Sequence, residues 1–188
     1  MNQRKAGLFF FILLLIGAWV PSAWAKEASL TDIALAEDGE SLLVSFRVTD
    51  CFTEEMNRAI ESGINATFTY FVGLYEKKNM RLDRKLTSIK LNRSIKYDNL
   101  KKIYELRFAG QSDKTLTMKD FEEAKHAMTE VKRLKVTPLM NLKEGSRYQL
   151  RLMAELDKIR LPLYLHYVFF FLSLWDFATP WYKVDFSY

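Results

Sequence analysis

Two histidines and a single cysteine are the side chains of this 188-residue chain that could act as nucleophile, base or zinc ligand. Cys51 with His126 is compatible with a thiolate–imidazole pair, which needs the base within hydrogen-bond reach of the sulfur. Nothing around Cys51 carries the local signature of a cysteine enzyme, and the expected state is a buried, inert thiol. His166 reads as a buried histidine with satisfied nitrogens. Neither histidine is expected to hold a metal. The carboxylate pairs Glu54–Glu55 and Glu122–Glu123 could in principle share acid/base work. Both fall early in helical patterns, where acids complement the helix dipole. Glycine-rich phosphate loops and nucleophile elbows are absent from the sequence. The reading is therefore non-enzymatic, with no catalytic residue, no cofactor and no metal.

Residues suited to contact are easier to find. The segment 26–62 holds 3 basic and 9 acidic side chains, whereas 77–107 holds 11 basic and 3 acidic. The second block opens "KKNMRLDRK". Its plainer explanation is the solvated edge of a sheet, where Lys and Arg discourage edge-to-edge pairing. The alternative is a patch for an acidic protein or anionic headgroups, made by Lys77, Lys78, Arg81, Arg84 and Lys85. A second candidate surface lies in and after "LPLYLHYVFFFLSLW", Leu161 to Trp175, fifteen residues without a formal charge. A helix from Leu163 to Trp175 reaches about 20 Å at 1.5 Å per residue. The hydrocarbon core of a bilayer is about 30 Å thick. A full span is not expected. The run either plugs the core, or sets Phe169, Phe170, Phe171, Trp175 and Trp181 at a membrane or partner surface.

The elements that must position these residues follow from hydrophobic period. "SLLVSFRV", "ATFTYFVGLY", "KIYELRF", "RYQLRLMAEL" and "WYKVDFSY" alternate with period two, as half-buried antiparallel strands do. "SIKLNRSIKY" alternates less well, because Arg93 falls on its apolar face. Asp98 and Asn99 make a turn after it. "TEEMNRAIESG" has Thr53 for an N-cap, early acids and Gly63 for a stop. "TMKDFEEAKHAMTEVKRL" opens with Thr117 and Asp120 at capping-box spacing, then places Phe121, Ala124, Met128 and Val131 on one helical face. The expected fold is mainly β with α. It is an antiparallel β-sandwich of about seven strands carrying two amphipathic helices and a short apolar C-terminal helix.

The N-terminus supplies an address. Arg4 and Lys5 precede an apolar run from Leu8 to Val20, and Ala23-Trp24-Ala25 has the small residues that a signal peptidase reads. Residues 1–25 are expected to be a signal peptide, the alternative being a retained anchor. Residues 26–188, including the apolar tail 161–188, form the single domain. An exported, periplasmic protein follows, with possible association with the inner membrane. Export argues against nucleic acid as a partner. One cysteine cannot form an internal disulfide, so the fold rests on packing.

"AIESGINATFTYFVGLY", "IKYDNLKKIYEL", "DFEEAKHAMTEVKRLKVTPLMNLKEGSRYQLRLMAELD", "LPLYL" and "TPWYKVDF", in this order, resemble an uncharacterised bacterial family, the domain of unknown function DUF 4390. The resemblance implies an envelope protein of Gram-negative bacteria. In some genomes it implies a link to a membrane sensor kinase. It brings no catalytic residues. The function expected is an exported binding or accessory protein of the envelope, with an envelope protein partner and peripheral membrane contact. A periplasmic binder of lipid or another hydrophobic ligand is the alternative.

Overall fold

The computed structural model describes residues 28–79, 81–110, 113–157 and 178–188. The expected signal peptide, the apolar run 161–175 and its residues His166, Phe169, Phe170, Phe171 and Trp175 lie outside the described residues.

The described chain is mainly β, in two antiparallel sheets with two helices. The strands are β1 (Ser29–Glu37), β2 (Ser41–Thr49), β3 (Ala66–Glu76), β4 (Arg84–Asp98), β5 (Ile103–Ala109), β6 (Lys114–Met118), β7 (Glu130–Pro138), β8 (Arg147–Leu156) and β9 (Tyr182–Ser187). Helix α1 spans Glu54–Glu61 and helix α2 spans Phe121–Thr129. A three-stranded sheet runs β1-β2-β7, and a six-stranded sheet runs β6-β5-β4-β3-β8-β9.

Alternation decides which side chains go inside. Phe68, Tyr70, Val72 and Leu74 of β3 are buried, and so are Leu150, Leu152 and Ala154 of β8. They share one continuous core with Leu42, Val44, Phe46 and Val48 of β2. The Phe46 and Tyr70 rings, one from each sheet, lie 5.9 Å apart. A fully buried Phe or Leu contributes roughly 1.5–3 kcal/mol, so this two-sided cluster is the main source of stability in a fold without disulfides.

Helix α1 begins and ends where its residues dictate. The Thr53 hydroxyl accepts the Met56 N–H at 3.2 Å. At the other end Gly63 takes φ +87°, the Gly63 N–H donates to Ile60 O, and the Ile64 N–H donates to Ala59 O. Those two bonds satisfy carbonyls that would otherwise be orphaned, and the left-handed residue needs glycine.

Helix α2 departs from expectation at both ends. Its N-cap is Asp120, whose carboxylate accepts the Glu123 N–H at 2.8 Å. Thr117 sits in β6, paired with Glu105. The helix stops at Thr129, and Val131 belongs to strand β7 instead of the helical face. The reason is tertiary. Glu130 to Pro138 contains β-branched residues and finds an open partner in β2, with Phe46 opposite Val131 and Leu43 opposite Lys135. Strands β1, β6 and β7 raise the count above seven. The final strand β9 pairs with β8, Val184 opposite Leu150, as the alternation of the tail anticipates.

Candidate functional site

The basic block starts on a hairpin and continues onto an open stretch of sheet edge, because β5 pairs with β4 only from Asn92 to Asp98. Strands β3 and β4 are neighbours inside the six-stranded sheet, and Lys77 to Asp83 form the hairpin between them. The edge-protection reading therefore fits Arg84 and Lys85, which stand on that open stretch of β4, while Lys77, Lys78 and Arg81 lie on the hairpin.

Glu76 explains their arrangement. It continues the inward row of β3 after Leu74, and only 2% of its surface is exposed. A buried carboxylate must be paired. The Lys78 ammonium lies 2.6 Å from one oxygen and Arg84 Nε lies 2.8 Å from the other. The Lys78 hydrogen bond, helped by Arg84, outweighs burial and holds the Glu76 carboxyl below the usual glutamate range. A second knot forms on Asp83, which receives Lys77 at 3.2 Å and Arg151 at 2.8 Å. Burial opposes ionisation of Asp83, but these cations overcome it and its pKa is lowered. Arg151 also lies 4.0 Å over the Tyr75 ring. The Lys77 N–H donates to Arg147 O at 2.8 Å, and the Arg147 guanidinium donates to the Asn79 side-chain carbonyl.

Of the five basic residues marked in the sequence, Lys77, Lys78 and Arg84 thus brace the hairpin from within. Arg81 and Lys85 are exposed beside them. Between these two stands Leu82, 94% exposed, which sequence reasoning did not single out. The loop from β7 to β8 reaches the same end of the molecule, since Tyr148 pairs with Glu76. That loop carries Met140, 89% exposed. Two bare apolar side chains among lysines and arginines therefore mark one end.

Trp181 is not part of that end. It is 49% exposed and lies 6.4 Å, ring to ring, from Phe71 on the outer side of the six-stranded sheet. Phe71 is five residues before Glu76, about 17 Å along a strand at 3.4 Å per residue. The structure separates Trp181 from the basic hairpin.

Cys51 and His126 do share a place. Both line an open depression of about 440 Å³ with Phe52, Glu122 and Lys125. The chemistry there is muted. Burial pushes the Cys51 thiol up to about 12, so it stays protonated near neutrality. His126 turns Nδ1 toward Glu130, 3.6 Å away. Among the described residues no group of three His, Cys, Asp or Glu side chains could hold a metal ion. Among the same residues no helix is long and apolar enough to cross a membrane.

Arg93, the residue that spoils the alternation of β4, has a defined task. Its Nη1 donates to Ala127 O at 2.8 Å, Met128 O at 3.1 Å and Glu130 O at 2.6 Å. The first two are carbonyls that the end of α2 leaves without intrahelical partners, and the third opens β7. The break in period was the sequence signal for it.

A mainly β fold of antiparallel sheets with two helices is the class that this geometry defines. The chain belongs to the family described as Domain of unknown function (DUF4390), whose model matches residues 25–185. Neither the curated proteins nor the solved structures give a match.

Proposed function

We propose that this chain is a non-enzymatic binding or accessory protein of the bacterial envelope, exported to the periplasm, that docks on an envelope protein through the end bearing the β3–β4 hairpin. The observation that carries the reading is Leu82: an apolar side chain 94% exposed, between Arg81 and Lys85, on a hairpin held stiff by the Glu76 and Asp83 ion pairs. A side chain held in water at such a position gains from burial only when something covers it. The surrounding cations favour an acidic partner surface and speed its approach. Bracing lowers the ordering cost of docking, because the loop is already set. The continuous core shared by the two sheets supports reading them as halves of a β-sandwich that serves as a rigid platform. The family resemblance adds the link to a membrane sensor kinase as the partner to try first.

The test is site-specific photo-crosslinking in bacterial cells expressing the full chain. A crosslinker at position 82 is expected to give a discrete adduct, and Arg81→Glu with Lys85→Glu is expected to remove it. Position 100 is the control, because Leu100 is 95% exposed at the opposite end of β4. Equal labelling from positions 82 and 100, or an adduct indifferent to charge reversal, would sink the reading.

A further inference from the structure

A different part of the molecule gathers more positive than negative charge. Strands β4, β5, β6 and β7 meet around an open cleft of about 220 Å³. Arg93, Lys114, Lys132 and Arg133 line it, with Phe108 in its wall. Lys132 is neutralised by Glu130 at 2.6 Å. Arg93 has no carboxylate within ion-pair distance: its Nη1 meets backbone carbonyls, and Glu130 acts on it only from further off. Among the described residues, Arg93, Lys114 and Arg133 make no ion pair with a carboxylate. Arg93 and Lys114 both lie over the Phe108 ring, at 4.9 and 5.2 Å from its centre. The ring thus collects two cations that would otherwise repel each other.

The cleft is also built rather than incidental. Arg133 enters it from a left-handed backbone, φ 48°, with its N–H donated to the Ser45 hydroxyl at 3.0 Å. Gly110, at the end of β5, has φ +137°, and a Cβ there would stand 2.6 Å from Leu91 Cδ2 and 3.0 Å from Lys90 O. Glycine is what lets the backbone at the end of β5 pass this close to β4 beside the cleft. Like charges brought together by tertiary structure raise the local concentration of anions, and a partly walled cleft focuses that field.

We propose that this cleft is a binding site for a phosphate-bearing group. Three cations without carboxylate partners exceed the single charge of a carboxylate. They suit a phosphate ester, which carries about −1.5 to −2 at neutral pH and several strong acceptor oxygens. Guanidinium and ammonium groups together are the usual donors to such oxygens. The same chemistry could come from free phosphate or from a lipid headgroup.

Isothermal titration of the full chain in neutral detergent separates the sources. One arm uses inorganic phosphate, with acetate as the carboxylate control. The other uses micelles doped with phosphatidic acid, a phosphate monoester, against micelles doped with phosphatidylcholine. Saturable binding is expected in at least one phosphate arm, and it is expected to exceed that of acetate. Binding of phosphate alone assigns the site to a free anion, and binding of phosphatidic acid alone assigns it to a headgroup. Lys114→Ala with Arg133→Asn is expected to weaken binding at least tenfold, because Asn tolerates the left-handed backbone while losing the charge. Circular dichroism checks that this variant folds. Lys119→Ala, outside the cleft, is expected to bind like the parent chain. Absence of saturable binding in both arms overturns the proposal, and so does equal affinity in the folded double variant. Stronger binding of acetate than of phosphate overturns the choice of ligand class.

Discussion

Tyr70 and Arg93 address the same acceptor: the Tyr70 hydroxyl donates to Met128 O at 2.6 Å, and Arg93 Nη1 reaches that oxygen at 3.1 Å. The guanidinium lies 5.6 Å from the Tyr70 ring centre. Burial pushes the Tyr70 hydroxyl well above its ordinary range, so it remains a donor. One residue from β3 and one from β4 thereby hold the end of α2 and the start of β7 against the six-stranded sheet.

Removing either donor therefore has unequal effects. Tyr70→Phe loses one neutral hydrogen bond while Arg93 still serves the carbonyl, and it is expected to cost about 1 kcal/mol. Arg93→Met strips three carbonyls of a charged donor and is expected to cost about 3–5 kcal/mol. Urea denaturation of both single variants and of the double variant measures this. Because the acceptor is shared, the two losses should not add. Strict additivity would show that the two donors act independently.

Glu76 makes stability depend on acid. Its folded pKa is lowered, so its contribution is fully present above the unfolded value of about 4.3. It is lost as pH falls through the lower folded value. Glu76→Gln is expected to be less stable than the parent at pH 7, and the gap should close as pH falls below the unfolded value of about 4.3. Thermal melts across that range test it. A gap that stays constant with pH would mean that the carboxylate charge is not what matters.

The helix α2 cap gives a sharper local test. Asp120→Ala is expected to cost about 1 kcal/mol, the usual worth of an N-cap. Thr117→Ala changes an exposed position of β6 and is expected to stay within about 0.5 kcal/mol. If Thr117 proved the more costly of the two in denaturant titrations, the cap would be misplaced.

Cys51 should be chemically silent in the folded protein. A buried thiol pushed up to about 12 offers almost no thiolate at pH 8. Labelling by an aromatic disulfide reagent is expected to be slow in buffer and fast in guanidinium chloride. Fast labelling of the folded chain would point to a reactive thiol and return the Cys51–His126 depression to consideration.

Much of the fold was legible because burial and alternation coincide. The row from Ala66 to Leu74 and the row from Tyr148 to Leu156 lie on the core side as their period requires. Thr53 and Gly63 bound α1 through backbone chemistry local to a few residues. The end of α2 was not legible. From Thr129 onward the helical pattern runs on, and only the vacant edge of β2 makes extension as β7 the better outcome.

The candidate surfaces divide the same way. Composition alone placed Lys77, Lys78, Arg81, Arg84 and Lys85 in one basic block, because charge density is a local property of the chain. Which of them stay exposed depends on where Glu76 and Asp83 fall, and only the β3–β4–β8 packing brings Arg151 to Asp83 and buries Glu76. The cleft of Arg93, Lys114 and Arg133 joins residues forty positions apart through the meeting of two sheets. Periodicity has a range of a few residues, so it determined β2, β3, β4, β5, β8 and β9 and their inward rows, while β7 and the end of α2 were settled by the partner strand. The convergence of charges on one cleft, and their release from or capture by acids, was decided by the tertiary structure.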